Sequence, residues 1–119
     1  MKAKDAIGKY GERVAARYLA DSGMEILDVN WRCRSGELDL VALDGEIIVF
    51  CEVKTRSSTA YGYPAEAVGL AKAARLRRLA AQWLDERVGG FAEVRFDVIS
   101  VLRQSSGAAQ VDHIRGALA

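Results

Sequence analysis

The chain is poor in the residues that mark several common kinds of functional site. It has one histidine, and its two cysteines, Cys33 and Cys51, do not form a zinc-type spacing. It also lacks a glycine-rich phosphate loop and the signature of a serine or cysteine nucleophile. These absences leave the acidic residues as the strongest candidates for chemistry, and they predict that both cysteines are reduced thiols of a cytoplasmic protein.

Long hydrophobic runs are absent as well. No apolar stretch approaches the length of a transmembrane helix, and the first residues lead into an amphipathic pattern rather than into the apolar core of a signal peptide. We therefore expect a soluble protein without a membrane partner. With 119 residues, of which 50% are hydrophobic, the chain is long enough for one domain with a real core, and we expect a single domain over residues 1–119.

The firmest structural prediction is a β-hairpin over residues 36–56. Two stretches rich in valine, isoleucine and leucine flank Asp44-Gly45, a dipeptide that is typical of tight two-residue turns. A turn at this dipeptide places Leu43 opposite Glu46. Because side chains two residues apart share a face of a strand, one face of the hairpin then carries four charged residues: Glu37, Asp39, Glu52 and Lys54.

The acids on this face are predicted to lie close together, with Asp39 diagonal to Glu52. Like charges at this distance raise one another's pKa and lower stability unless a cation neutralises them. Mg²⁺ binds one or two carboxylates together with waters and phosphate oxygens, and Lys54 could act on the same water or phosphate. The alternative is a solvated hairpin face. We favour a site because the acids lie at one end of an apolar strip formed by Val41, Ile48 and Phe50.

The same residues resemble a known signature. Asp39, Glu52 and Lys54 match the Asp…Glu-x-Lys pattern of the PD-(D/E)XK nuclease superfamily, with Leu38 where the superfamily's name has proline. The longer string around them, over residues 36–41 and 50–56, is similar to the YraN-like family of small bacterial predicted endonucleases, which are related to archaeal Holliday-junction resolvases. The resemblance implies an α/β fold with a restriction-endonuclease-like αβββαβ core, in which helices flank a mixed central sheet.

The resemblance also implies an activity, the metal-dependent hydrolysis of nucleic-acid phosphodiester bonds, structure-selective on DNA. Asp39, Glu52 and the backbone carbonyl of Val53 would hold Mg²⁺ or Mn²⁺. Lys54 would orient the attacking water or stabilise the charge that develops on the phosphate. Glu37 would be an auxiliary ligand through water. Nucleic acid, DNA in the first place, is thus the expected partner, and a homodimer stays open.

Apolar spacing around the hairpin predicts helices over residues 5–21 and 70–87 and strands over residues 24–34, 93–101 and 110–114. In the first helix, four residues at helical spacing form the predicted buried face: Ile7, Tyr10, Val14 and Tyr18.

Glu12 borders the buried face of the first helix, among small residues that permit close packing. A solvated surface glutamate is the commoner explanation for such a position. The YraN-like resemblance instead implies that Glu12 helps to hold the metal or its waters.

Basic residues are concentrated in one segment, although the net charge of +1 does not by itself indicate nucleic-acid binding. Between Lys54 and Arg78 six basic residues stand against one acid, an excess of five. Lys72 shares the arc of the buried face predicted for the second helix, so it either reaches out to water or points at an anionic group, and the resemblance favours the anion. The residues expected to contact phosphate are Arg56, Lys72 and Arg75.

Other candidates receive plainer interpretations. Tyr61 or Tyr63 would stack on a base or anchor their own loop, the second being commoner. His113 is expected to be an edge-strand residue rather than a ligand or a base, and Asp97 is expected to make a structural hydrogen bond. Two other functions stay open, a non-catalytic nucleic-acid-binding module with the nuclease fold and a small protein-interaction domain.

Overall fold

The computed structural model describes residues 3–57, 69–90 and 92–118, and the side chains from residue 6 onward. Seven elements follow one another in these residues: α1 (Ala3–Asp21), β1 (Glu25–Cys33), β2 (Gly36–Asp44), β3 (Ile47–Arg56), α2 (Leu70–Arg87), β4 (Glu93–Leu102) and β5 (Gln110–Ile114). The predicted α/β class and the αβββαβ order are confirmed, with β5 added at the end. The bounds of α2 and β5 are those predicted, whereas α1 begins two residues earlier.

The five strands form one mixed sheet in the order β1-β2-β3-β4-β5. Strands β3 and β4 are parallel, and the other neighbouring pairs are antiparallel. A parallel pair needs a crossover connection, and the segment that contains α2 provides it. Neither helix in the described ranges is long and apolar enough to cross a membrane.

The two helices cover opposite faces of the sheet. Ala15 and Leu19 of α1 pack into one hydrophobic cluster with Cys51 of β3, and Leu79 of α2 packs into another with Phe50. Adjacent residues of β3 therefore alternate between the two cores, as a strand buried on both faces must. Cys51 accordingly lies on the face opposite its neighbour Glu52, which pairs with Lys72 of α2.

The buried side of α1 differs from the prediction. The residues that pack most deeply are Gly11, Ala15 and Leu19, whereas the larger predicted residues are only half-buried. The helix lies so close to β3 that a Cβ atom on Gly11 would come within 2.7 Å of Thr55 Cβ. Small side chains therefore occupy the centre of the contact, and larger side chains flank it.

The predicted turn of the hairpin is wrong by one position. The turn residues are Gly45 and Glu46, and the strand partners next to the turn are Asp44 and Ile47. Gly45 takes a φ of 64°, which fits a turn with glycine at its first central position. Asp44 can then keep an extended strand conformation. The register moves by two residues in total, so the side-chain parity of the two strands is preserved.

A buried polar cluster joins β4 to β5. The Asp97 carboxylate accepts two hydrogen bonds from Arg95, at 2.9 and 3.0 Å, and one from the backbone N–H of Gly116 at 3.0 Å. His113 Nε2 lies 2.7 Å from the same carboxylate. Burial alone would raise the pKa of Asp97, but these hydrogen bonds outweigh it and lower the pKa. The structural hydrogen bond predicted for Asp97 is confirmed, and His113 lies on the edge strand β5 as predicted.

The predicted roles of Tyr61 and Tyr63 fall on residues that lie outside the described ranges.

Candidate functional site

Three carboxylates converge near the beginning of β2. Glu12 comes from α1, and Glu37 and Asp39 come from β2; one ligand atom of each lies within 4.8 Å of the others. All three residues are half-buried. A set of donors made only of carboxylate oxygens suits Mg²⁺ or Mn²⁺ better than zinc. Glu12 and Glu37, which were expected to act as auxiliary groups, are thus members of the same cluster as Asp39.

An irregularity in β2 brings its two acids toward α1. Leu38 and Val41 both pack on the α2 side of the sheet, although strict alternation would separate residues three apart. Leu40, between them, packs on the α1 side. The four charged residues that were predicted to share one face of the hairpin therefore do not form a single row, because the side chains of Glu37 and Asp39 meet Glu12 of α1.

Asn30 of β1 lies opposite this irregularity, since its neighbours in β1 pair with Leu38 and Leu40. It has a φ of 51°, and in the described residues it is the one residue other than glycine with a positive φ. Its side chain also hydrogen-bonds to Glu12. The sequence prediction missed Asn30; the signal was an asparagine, which tolerates this conformation, in the middle of a strand pattern.

Asp39 is the most perturbed of these carboxylates. It accepts a hydrogen bond from the backbone N–H of Val53, with Oδ2 at 2.8 Å from the nitrogen. Burial raises the pKa of Asp39 to about 7, and the negative charges of Glu52, Glu12 and Glu37 add to the rise against the effect of that hydrogen bond. Asp39 in the metal-free protein therefore keeps its proton to a much higher pH than an exposed aspartate does.

Glu12 is perturbed in the same direction. Burial raises the pKa of Glu12, the hydrogen bond with Asn30 lowers it, and the charge of Glu37 raises it again. The net effect is a raised pKa. Burial and crowding of like charges thus oppose ionisation at two of the three convergent acids.

Glu52 lies beside this cluster and has a partner from the other helix. Lys72 Nζ of α2 lies 2.5 Å from Glu52 Oε1. The Glu52 side chain is 14% exposed, and that of Lys72 is 35% exposed. Lys72 was expected to point at an anionic group, and that group is the Glu52 carboxylate of the protein itself.

Lys54 continues the same strand face beyond Glu52 and is half-buried. Its register partner in β4 is Ser100, which is 1% exposed. Ser100 Oγ is buried without a hydrogen-bond partner in the described part of the chain. A buried hydroxyl in this state is unusual, and here it lies one strand away from the lysine of the predicted signature.

The remaining predicted residues extend from this end of the sheet. Arg56 is the last residue of β3, and its backbone carbonyl accepts a hydrogen bond from the N–H of Arg103 at 2.7 Å. Arg56 Nε is buried without a hydrogen-bond partner among residues 3–57, 69–90 and 92–118. Arg75 is exposed on α2, one turn after Lys72. The predicted phosphate contacts thus comprise one exposed residue and two partly buried ones.

The sequence model of "Uncharacterised protein family UPF0102" matches residues 11–101. A UPF0102 protein of Frankia casuarinae is 65% identical over 117 residues, which cover 98% of this chain and 99% of that protein. A UPF0102 protein of Beutenbergia cavernae is 63% identical over 116 residues, or 98% of each chain, and one of a Nocardioides species is 51% identical over 113 residues, or 95% and 91%. The chain therefore belongs to the UPF0102 family, the YraN-like proteins that the hairpin motif resembles.

Proposed function

We propose that this protein is a metal-dependent nuclease of the PD-(D/E)XK type that hydrolyses phosphodiester bonds in DNA, with a preference for branched structures. The observation that carries the proposal is the convergence of Glu12, Glu37 and Asp39, with one ligand atom of each within 4.8 Å of the others. Burial and the crowding of these acids raise the pKa of Asp39 to about 7. A group perturbed in this way, beside a lysine on the neighbouring strand, is typical of a functional site rather than of a solvated surface.

A divalent cation fits the donors that are present. Asp39 and Glu52, with the backbone carbonyl of Val53, would hold Mg²⁺ or Mn²⁺, and the converging carboxylates of Glu12 and Glu37 would bind the ion or its waters. When bound, such an ion lowers the pKa of water and screens the charge of a phosphate. It would also relieve the repulsion that raises the pKa of Asp39.

The other residues of the signature would act directly on water and phosphate. Lys54 would orient the attacking water, or stabilise the negative charge that develops on the phosphate during cleavage. Arg56 and Arg75 would contact the phosphate backbone, and Lys72 would join them only when it leaves Glu52. These positive charges on the α2 side of the site would draw the DNA backbone toward the carboxylates.

Cleavage assays test the activity itself. A panel of four-way junctions, flaps, linear duplexes, single-stranded DNA and RNA should be incubated with the protein in the presence of Mg²⁺, Mn²⁺ or a chelator. We expect metal-dependent cleavage that is fastest on branched DNA and is lost in Asp39→Asn and Glu52→Gln. Glu86→Gln, an exposed α2 residue, is the matched control and should cleave like the wild type.

The same panel separates the nuclease from a non-catalytic binding module. Salt-sensitive DNA binding without cleavage under any metal would favour the binding module. Cleavage that persists in Asp39→Asn would point to a contaminating nuclease and would contradict the proposal.

Binding isotherms test the proposed DNA surface. Each lost phosphate contact should flatten the slope of log affinity against log salt concentration by roughly 0.9 on duplex DNA. We expect this change for Arg75→Gln. Arg13→Gln removes another exposed arginine, from α1 across the sheet, and should leave the slope unchanged. Equal slopes for all three proteins would mean that the DNA lies on another surface.

A further inference from the structure

Lys72 places a positive charge on a carboxylate that the proposed metal site needs. We infer that Lys72 is the counter-cation of Glu52 in the metal-free protein, and that a divalent ion must displace Lys72 in order to bind. The ammonium group of Lys72 thus occupies the Glu52 carboxylate until a metal binds. This inference rests on the metal-dependent function proposed above. Lys72 would therefore lower the affinity for the metal, whereas a ligand or a residue that orients a ligand would raise it.

The contact that carries the inference is close and partly shielded from water. Lys72 Nζ lies 2.5 Å from Glu52 Oε1, and the Glu52 side chain is only 14% exposed. Lys72 lies in the first turn of α2, directly before the buried residue Ala73. Packing of the helix therefore fixes the Cα and Cβ atoms of Lys72. Because the Lys72 side chain is already partly shielded from water, its ammonium group loses less hydration on pairing with Glu52 than that of a fully exposed lysine would.

The ion pair of Glu37 provides a contrast within the same site. Arg32 Nε lies 3.0 Å from Glu37 Oε2, but the Arg32 side chain is 75% exposed. Water screens such a pair strongly, so it is easily exchanged. The pair of Lys72 with Glu52 is less exposed on both sides and should oppose an incoming cation more effectively.

The electrostatic consequence has a definite direction. An ammonium group and a divalent ion cannot share one carboxylate without repulsion, so metal binding must break the ion pair or accept the repulsion. Removing the charge of Lys72 should therefore strengthen metal binding. If Lys72 instead held Glu52 in the orientation that a metal requires, removing it would weaken metal binding.

The test measures Mn²⁺ affinity directly, by calorimetry and by the electron paramagnetic resonance signal of free Mn²⁺, so it does not depend on cleavage. Lys72→Met removes the charge and keeps an unbranched side chain. We expect it to bind Mn²⁺ about tenfold more tightly than the wild type, the factor that corresponds to one charge-assisted hydrogen bond.

Two further variants serve as controls. Arg75→Met removes a positive charge one turn away, and it should bind within about twofold of the wild type because exposed charges are screened. Lys72→Arg keeps the charge and should resemble the wild type. If Lys72→Met proves too unstable to measure, Lys72→Gln replaces it as the variant without the charge. Lys72→Arg remains the comparison that keeps the charge.

The outcomes separate this inference from the proposed function. Unchanged or weaker Mn²⁺ binding in Lys72→Met, with clear binding by the wild type, would overturn the role of Lys72 and leave the metal site intact. Equal tightening in Lys72→Met and Arg75→Met would reduce the effect to general electrostatics and would also overturn it. Failure of the wild type and of every variant to bind Mn²⁺ would overturn the metal-dependent function itself.

Discussion

Gly11 of α1 lies against Thr55 of β3, in a contact that leaves no space for a side chain. A Cβ atom on Gly11 would lie 2.7 Å from both Thr55 Cβ and Thr55 Cγ2. The next residue along the helix is Glu12, one of the converging acids. The closeness of helix and strand thus also sets how far Glu12 reaches toward β2.

Gly11→Ala should therefore destabilise the fold by about 1–3 kcal/mol, because α1 must move away from β3. Gly8→Ala is the matched control, since a Cβ atom at this helical position meets nothing within 4 Å. It should stabilise the fold by roughly 0.5–1 kcal/mol through the higher helix propensity of alanine. Urea denaturation of both variants checks the prediction, and equal effects would show that α1 is not held at this distance.

Asp39→Asn should stabilise the metal-free protein more at high pH than at low pH. The pKa of Asp39 rises from 3.8 to about 7 on folding, so its favourable contribution is complete below pH 3.8 and is lost as pH rises through 7. The gain from Asp39→Asn should accordingly be roughly 2–3 kcal/mol larger at pH 8 than at pH 5. Asparagine still offers an oxygen to the Val53 N–H.

Denaturant melts at the two pH values, in the presence of a chelator, measure this difference. Asp85→Asn removes an exposed carboxylate from α2 and should have a small effect at both. A gain for Asp39→Asn that is the same at pH 5 and pH 8 would mean that neither burial nor the neighbouring acids raise the pKa of Asp39.

Asp97→Asn should be strongly destabilising, by about 3–5 kcal/mol, because it leaves the charge of Arg95 without its buried partner. Asp44→Asn is the milder comparison: Asp44 also pairs with Arg95, at 3.0 Å, but its side chain is 33% exposed. Its loss should be about 1 kcal/mol or less.

The stabilisation from Asp97 should also depend on pH. Its pKa is lowered on folding, so the stabilisation is present above the unfolded value of 3.8 and is lost as pH falls through the lower folded value. Acid titration followed by circular dichroism should show this loss in the wild type and not in Asp97→Asn. Identical acid transitions would contradict the role assigned to the cluster.

Ser100→Ala should leave the stability unchanged or raise it by up to about 1 kcal/mol, because the buried hydroxyl that it removes has no partner in the described residues. Ser22→Ala offers a contrast, since the Ser22 hydroxyl donates to the Tyr18 carbonyl at 2.8 Å, and its loss should cost a few tenths to about 1 kcal/mol. Thermal melts compare the two. A clear loss of stability in Ser100→Ala would mean that its hydroxyl is bonded in solution.

Local sequence determined the elements of this protein. The β-branched runs and the glycine of the turn define the hairpin. The apolar spacing of α2 gives the bounds of that helix and four of its five buried residues, Leu76, Leu79, Ala80 and Trp83. These features depend on backbone preferences and on side-chain periods of two or 3.6 residues, which a short stretch of sequence contains in full. The turn was misplaced by one residue because both Asp44 and Gly45 suit tight turns, and only Gly45 takes the positive φ.

Tertiary structure alone decided which side chains meet at the candidate site. Glu12 reaches Glu37 and Asp39 because Gly11 lets α1 lie against β3, and no local pattern encodes that distance. The change of side-chain alternation in β2 lies opposite the positive φ of Asn30 in the paired strand β1. Lys72 meets Glu52 because α2 packs on the opposite face of the sheet from α1, so a residue twenty positions away supplies the counter-charge. The sequence thus identified the acids and the lysines as candidates, and the packing of elements that are distant along the chain brought their side chains into contact.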